Sequence, residues 1–157
     1  MTGIDRATAQ WYIDTALAKL LTRADELVEA GGDELLCRAP EVEGANSVFA
    51  LITHCCGVME RWGGEVIAGR QINRDRRSEF TATGSLDHLE ARVSAQLGRW
   101  REDLADYDAG AAPRGPDGWE VGDPQPITQG FVVLHVIEEL FQHLGHVDLS
   151  VDLVRGR

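Results

Sequence analysis

The chain has 157 residues, 43% of them hydrophobic and 26% charged, which is the composition of a globular protein large enough to bury an apolar core. Its formal net charge of -11 creates a field that repels phosphate backbones and anionic lipids, which argues against nucleic acid or a membrane as its partner. We therefore expect one soluble domain over residues 1–157.

The cellular location is predicted from two features of the sequence. No basic region followed by an apolar run opens it, and no apolar stretch approaches the roughly 20 residues that cross a bilayer. The expected location is the cytoplasm. The three cysteines, Cys37, Cys55 and Cys56, are odd in number and the last two are adjacent, so we expect reduced structural thiols and no disulfide framework.

The first half of the chain carries two amphipathic patterns. From residue 5 to about residue 30, apolar side chains recur at helical spacing until two glycines end the pattern. Residues 33–43 contain proline and acidic side chains and are predicted to be a connection. A second helix follows, capped by Asn46 or Ser47, and runs to about residue 69.

The second half is predicted to contain two loops and two helices. Residues 70–84 are charged and mostly lack helical periodicity, so we expect a long surface loop there. A third helix covers residues 85–107, and a second loop covers 108–126, where four of the five prolines occur. Thr128 caps a fourth helix from 129 to about 153. Because no segment has a strong strand pattern, an all-α fold with four helices in an antiparallel-type bundle is the economical architecture.

A cluster of arginines opens the predicted 70–84 loop. The ordinary interpretation is a solvated connection, and the alternative is a loop that binds an anion. The four arginines of the cluster are Arg70, Arg74, Arg76 and Arg77.

The most informative segment lies on the fourth predicted helix. An α-helix advances about 100° per residue, so with His135 at zero, residues 146, 139 and 143 fall at roughly 20°, 40° and 80°. His135, Glu139, His143 and His146 therefore share one stripe. A carboxylate four residues before an imidazole allows both to reach one divalent ion. The alternative is a solvated polar face, because the same stripe borders the apolar face of the helix.

A third ligand is expected from the second predicted helix. His54 lies in its first half among apolar neighbours, where a lone histidine is more often a core residue. Together with Glu139 and His143, however, it predicts a three-ligand metal site with positions left open for water or substrate. His135 and His146 are then the candidate catalytic residues, which orient the ligands or carry protons.

Three segments of this chain resemble the DinB-like superfamily, in the branch typical of actinobacteria. They are residues 44–47 leading to His54, the Arg-Arg-Ser-Glu-Phe run at 76–80, and residues 135–149 on the fourth helix. The resemblance extends from the first helix to about residue 153. It implies a DinB-like four-helix bundle in up-down-down-up order and a homodimer.

The resemblance also implies a ligand set. Carried over by position, the metal ligands are His54, Glu139 and His143, and the expected ion is a divalent metal such as zinc or nickel. Many relatives have histidine at the position of Glu139. The carboxylate is similar to that in the metal-binding bundle domain of mycothiol-dependent maleylpyruvate isomerases.

The function that the resemblance implies is a divalent-metal-dependent enzyme that uses a low-molecular-weight thiol, as a mycothiol-type transferase or isomerase. Arg74, Arg76 and Arg77 are candidates to neutralise an anionic substrate. Cys55 is not the expected nucleophile, because its side chain points about 100° away from that of its neighbour His54. Two alternatives remain open, which are a non-catalytic metal- or ligand-binding bundle and a metal-dependent hydrolase.

Overall fold

The computed structural model describes residues 3–116, 118 and 126–156, and this part of the chain contains helices and no β-strand. The predicted all-α class is therefore confirmed for the described residues. An eight-residue π-helix, Glu60–Ile67, follows directly on the second α-helix. In the same part of the chain, no helix is long and apolar enough to span a bilayer. The α-helices are α1 (Arg6–Leu36), α2 (Val48–Met59), α3 (Arg76–Glu79), α4 (Leu86–Asp103) and α5 (Gln129–Val154).

Each of the four long α-helices begins at a short polar side chain. This side chain accepts a hydrogen bond from the backbone N–H three residues later, which satisfies one of the unpaired donors of the first turn. Ser47, and not Asn46, caps α2. The four capping residues are Asp5, Ser47, Ser85 and Thr128.

The first helix continues beyond its predicted end. The helical path does break at the glycine pair, where Gly32 has a φ of +70° that favours glycine. Residues 33–36 are nevertheless helical, so the prediction of a connection from residue 33 is wrong for these four positions. Burial explains the difference, because this last turn places Leu36 in the core with no exposed surface.

The predicted surface loop at 70–84 contains the short helix α3 and a buried residue. Asp75 caps α3 by accepting hydrogen bonds from the backbone N–H groups of Arg77 and Ser78. Glu79, at the end of α3, is buried. The third predicted helix is shorter than expected, since α4 ends at Asp103. Of the predicted loop at 108–126, residues 117 and 119–125 lie outside the described part of the chain.

The core lies between the long helices. α5 packs against α1 and α2, and α4 packs against the same two helices and the π-helix. All twelve residues of α2 are buried, so this helix is the central one and any polar side chain on it needs a partner. Its polar side chains include His54. The largest fully buried apolar side chains are Trp100, Ile13, Leu20, Leu27, Leu36, Ile52, Met59, Ile67, Leu89, Leu104 and Leu140.

Two glycines of the π-helix are closely packed, Gly63 against a buried ring and Gly64 against a partly exposed arginine side chain. A Cβ on Gly63 would lie 2.6 Å from Cε3 of Trp100, and one on Gly64 would lie 2.8 Å from Cζ of Arg70. Segments of π-helix are rare and occur frequently near functional sites. Here the segment carries Trp62, whose ring lies 4.8 Å from that of His135 on α5.

Candidate metal centre

Three of the predicted site residues meet between α2 and α5. His54, Glu139 and His143 each offer one ligand atom, and these atoms all lie within 4.8 Å of one another. The rings of the two histidines are nearly perpendicular, with centroids 4.8 Å apart. Oε2 of Glu139 lies 3.5 Å from Nε2 of His143. The helical stripe and the histidine of the second predicted helix therefore converge, as the sequence predicted.

The three side chains differ in how deeply they are buried. His54 is buried, whereas the side chains of His143 and Glu139 are 14% and 29% exposed. A donor set that is closed on one side and accessible on the other leaves coordination positions for a small molecule.

The protonation states of the cluster suit a cation. Burial lowers the pKa of His54, and the hydrogen bond with Glu79, which acts in the opposite direction, does not cancel this effect. The hydrogen bond with His143 lowers the pKa of Glu139 despite its partial burial. A neutral imidazole and an ionised carboxylate are the forms in which these side chains bind metals.

A second observation favours a bound ion or ligand at this position. Nδ1 of His143 is buried and has no hydrogen-bond partner among the described residues. A buried nitrogen without a partner is costly, so native structures rarely leave one unless a water, an ion or a ligand satisfies it. Two imidazoles and a carboxylate are a donor set that divalent transition metals accept.

Glu79 is the residue of the site that sequence reasoning missed. Its Oε2 lies 2.7 Å from Nδ1 of His54, and Arg74 donates to both of its oxygens at 2.6 and 2.9 Å. Burial alone would raise the pKa of Glu79, but the hydrogen bonds from Arg74 and with His54 outweigh it and lower the pKa. The sequence feature that could have identified Glu79 is the Arg-Arg-Ser-Glu-Phe run at 76–80, which carried part of the family resemblance. Because the run lies in a predicted surface loop, Glu79 was not expected to be buried.

The arginine cluster is not a uniform solvated loop. Arg70 donates two hydrogen bonds to Asp103 at 2.6 and 2.9 Å, just as Arg74 does to Glu79. Arg74 is therefore engaged in an ion pair with Glu79, and its role as a candidate to neutralise an anionic substrate stays a prediction. Arg76 and Arg77 are exposed on α3.

The two candidate catalytic histidines lie at either end of the three-residue cluster. Nε2 of His135 is 3.7 Å from Oε1 of Glu139, and its ring also contacts Trp62. The ring of His146 lies 5.5 Å from that of His143, and His146 is exposed. Both are neighbours of the donor set and not members of it, which is the arrangement that the sequence analysis expected.

The two adjacent cysteines of α2 lack the features of a nucleophile. All three are free thiols, and Cys55 and Cys56 are buried on α2. Burial raises the pKa of Cys55, and it raises that of Cys56 to about 11. Since the thiolate is the reactive form, burial and a raised pKa both argue against Cys55 or Cys56 as a nucleophile.

Comparison with known proteins identifies the family. A comparison with curated proteins and one with solved structures find no match. A family model described as mycothiol-S-transferase (MST) matches residues 10–156, a range that includes α2 and α5 and all three members of the candidate metal centre. The chain therefore belongs to the mycothiol-S-transferase family, a DinB-like family of actinobacteria.

Proposed function

We propose that this protein is a divalent-metal-dependent transferase whose substrate is a low-molecular-weight thiol of the mycothiol type. The observation that carries the proposal is the convergence of His54, Glu139 and His143 in a chain that belongs to the mycothiol-S-transferase family. Neither the residue cluster nor the family membership is sufficient alone, since a cluster of ligands does not specify a reaction and a fold does not specify a function.

The three side chains would hold the ion and leave other coordination positions open. A divalent ion bound there supplies Lewis acidity, which favours the thiolate form of a thiol at neutral pH. Zinc or nickel is the expected ion, because imidazole nitrogen suits both metals.

The flanking histidines have different proposed roles. His146 is exposed beside His143, so a nitrogen of its ring accepts the proton of the incoming thiol. The sulfur then forms its new bond to an electrophilic carbon, and the leaving group departs with the electrons of the bond that breaks. His135, 3.7 Å from Glu139, orients this carboxylate.

We also infer that α1, α2, α4 and α5 form one bundle in up-down-down-up order, and that residues 1–157 form a single domain. The packing supports this inference, because α1 and α2 each contact both α4 and α5. One continuous cluster of buried apolar side chains connects the four helices.

The first experiment measures metal binding by protein without an affinity tag. After removal of metal with a chelator, titration with Zn²⁺ or Ni²⁺ should give about one equivalent bound per chain. A stoichiometry far below one for every divalent ion tested would remove the proposed function.

The second experiment asks which thiol binds. A thiol at 100 times its dissociation constant adds about 2.7 kcal/mol to the stability of the folded protein. Thermal unfolding of the metal-loaded protein should therefore shift with mycothiol and less with bacillithiol or glutathione, and the metal-free protein should not respond. If no thiol shifts the transition, the non-catalytic binding protein is favoured. A conjugate detected by mass spectrometry with a bimane electrophile then tests turnover.

A further inference from the structure

An ion pair between a buried carboxylate and a partly buried arginine lies behind His54, outside the three-residue donor set. Glu79 is 3% exposed, and Arg74 donates Nε–H to its Oε1 and Nη2–H to its Oε2. The same Oε2 lies 2.7 Å from Nδ1 of His54. Burying a carboxylate and a guanidinium gives little net stability compared with apolar residues, so a role other than stability should account for the pair.

A glycine on α2 leaves space for this ion pair next to His54. Gly57 lies three residues after His54 on α2, on the same side of the helix. A Cβ at Gly57 would lie 2.6 Å from Cδ of Glu79 and 3.0 Å from Nε of Arg74. Since glycine inside a helix is less favourable than alanine, the space that it leaves explains why glycine is found there.

The hydrogen bonds determine which nitrogen of His54 carries the proton. Because Arg74 donates to both oxygens of Glu79, the carboxylate is ionised and can only accept. If Nδ1 of His54 were unprotonated, two acceptors would face each other at 2.7 Å. Nη2 of Arg74 also lies 3.4 Å from Nδ1 of His54, but it donates to Oε2 of Glu79 at the shorter distance of 2.9 Å. The 2.7 Å contact therefore decides the tautomer, so that Nδ1 donates to Glu79 and the lone pair of the neutral ring is on Nε2.

The ring is also held against rotation. Phe80, the residue after Glu79, lies on one face of the His54 ring, with centroids 4.6 Å apart and planes inclined by 30°. On another side the edge of the ring meets His143. The segment at 76–80 thus supplies both the hydrogen-bond acceptor and the aromatic wall.

We propose that Glu79 is a positioning residue that fixes His54 as its Nδ1–H tautomer and leaves Nε2 free as the ligand atom, with Arg74 holding the carboxylate and Gly57 making room for it. This inference rests on the proposed metal-binding role of His54. The tautomer itself, however, is a property of the metal-free chain and can be measured without any metal or substrate.

The first test is the tautomer of His54 in the metal-free wild-type protein. Long-range nitrogen–proton correlation spectra at mildly alkaline pH distinguish the two neutral tautomers, and the His54→Gln variant assigns the signal among the five histidines. The expected result is an Nδ1–H ring for His54. A ring protonated on Nε2 would overturn the inference whatever the protein does with metals.

The second test moves the carboxylate without altering any charge. Gly57→Ala should displace Glu79 and give a mixture of His54 tautomers, with a zinc dissociation constant raised about 10- to 100-fold. Gly98→Ala is the matched control, because Gly98 is inside α4 and a Cβ there would meet no atom within 4 Å. A folded Gly57→Ala protein with the wild-type tautomer and zinc affinity would contradict the proposal.

The third test removes the ion pair as a unit. Glu79→Leu alone leaves the partly buried Arg74 unpaired and is expected to destabilise the fold, whereas Arg74→Met combined with Glu79→Leu removes both charges. The combined variant should show the same increase in zinc dissociation constant, about 10- to 100-fold. The equivalent replacement of the Arg70–Asp103 pair, which has the same two-bond geometry, should leave zinc affinity unchanged.

These outcomes separate the inference from the proposed function. If the wild-type protein binds no zinc, but His54 is the Nδ1–H tautomer and Gly57→Ala changes it, then the proposed function fails and the role of Glu79 stands. If zinc binds with normal stoichiometry and the tautomer is insensitive to every change at Glu79 and Gly57, then the positioning role fails alone.

Discussion

At the scale of single residues, protonation decides whether the candidate centre can bind a cation. His54 and Glu139 both have lowered pKa values, so both are unprotonated at neutral pH. Glu79 remains ionised although it is buried, because Arg74 and His54 hydrogen-bond to it. Both side chains can therefore bind a cation near neutral pH. Cation binding should weaken as the solution is acidified, because protons then compete for the same donor atoms.

The metal-free protein should lose stability on mild acidification. Because the folded pKa of His54 lies below its ordinary value of 6.5, the unfolded chain takes up this proton first as the pH falls, and the free energy of unfolding decreases. The lowered pKa of Glu79 adds a further loss at more acidic pH, below its ordinary value of 4.5. Denaturant unfolding between neutral and acidic pH measures both losses.

The contribution of His54 can be separated with a variant. In His54→Gln, the free energy of unfolding should decrease less as the pH falls just below the ordinary histidine pKa. The further decrease at more acidic pH, which is assigned to Glu79, should remain. Stability that is independent of pH in the wild-type protein over this range would contradict the assignment of His54 as a buried neutral imidazole.

His143→Ala should abolish metal retention. The variant removes one of three donors and the buried nitrogen that has no partner among the described residues. His88→Ala is the control, because His88 is exposed on α4 and lies outside the cluster. Metal content by elemental analysis after dialysis checks the prediction, and equal loss in both variants would show that the assignment is wrong.

The grouping of the candidate ligands was predictable from the sequence, whereas the contact of Glu79 with His54 was not. Glu139 and His143 are four residues apart on one helix, a spacing that places them side by side. Glu79 reaches His54 from a segment without periodicity, so only the three-dimensional fold brings the two together. Helical spacing predicts which side chains are neighbours on one helix, but it does not predict which residues of other segments contact them.

At the scale of elements, the starts of the helices were easier to predict than their ends. Capping residues such as Ser85 and Thr128 have a local chemical signature, and each of them begins a long helix. The end of α1 depends on burial of Leu36, which is a tertiary effect. The change from α2 to the π-helix at Glu60 was not predicted, because the apolar pattern continues through it.

The π-helix provides a test of packing. In Gly63→Ala the new Cβ would lie 2.6 and 2.8 Å from two carbons of the Trp100 ring, which is fully buried and cannot move freely. We expect a loss of about 1–3 kcal/mol in the free energy of unfolding from overpacking. Gly98→Ala, in open space on α4, should instead gain about 0.5–1 kcal/mol. Urea unfolding compares the two, and changes of equal sign would refute the packing argument.

At the scale of the whole molecule, the predicted homodimer has a candidate surface. The expectation of a homodimer comes from the family resemblance alone. On α1, Trp11 is 60% and Tyr12 is 40% exposed, and the Tyr12 ring meets that of Phe141 on α5. Large exposed apolar side chains that lie together often mark an interface.

Trp11→Lys should convert the predicted homodimer to a monomer, because it places a charge at the centre of the proposed contact surface. Leu134→Lys, at a residue of α5 that is 51% exposed, is the control and should leave the oligomeric state unchanged. Sedimentation velocity at several protein concentrations measures both. A wild-type monomer, or a dimer that persists in Trp11→Lys, would show that this surface is not the interface.

The arrangement of the helices was the least accessible feature from periodicity alone. Apolar stripes indicate that α2 and α5 each have a buried side, but they do not show that the two helices are neighbours. That expectation came from the family resemblance, and the contacts between α2 and α5 agree with it. The candidate centre depends on this neighbourhood, since one of its residues comes from α2 and two come from α5.

Anomalous X-ray scattering from crystals of the zinc-loaded protein, recorded at the zinc absorption edge, tests the central claim most directly. We expect one peak between α2 and α5, within about 2.0–2.2 Å of a nitrogen of His54, a nitrogen of His143 and an oxygen of Glu139. A zinc peak bound elsewhere, or an ordered structure of these three side chains with no peak between them, would contradict the account.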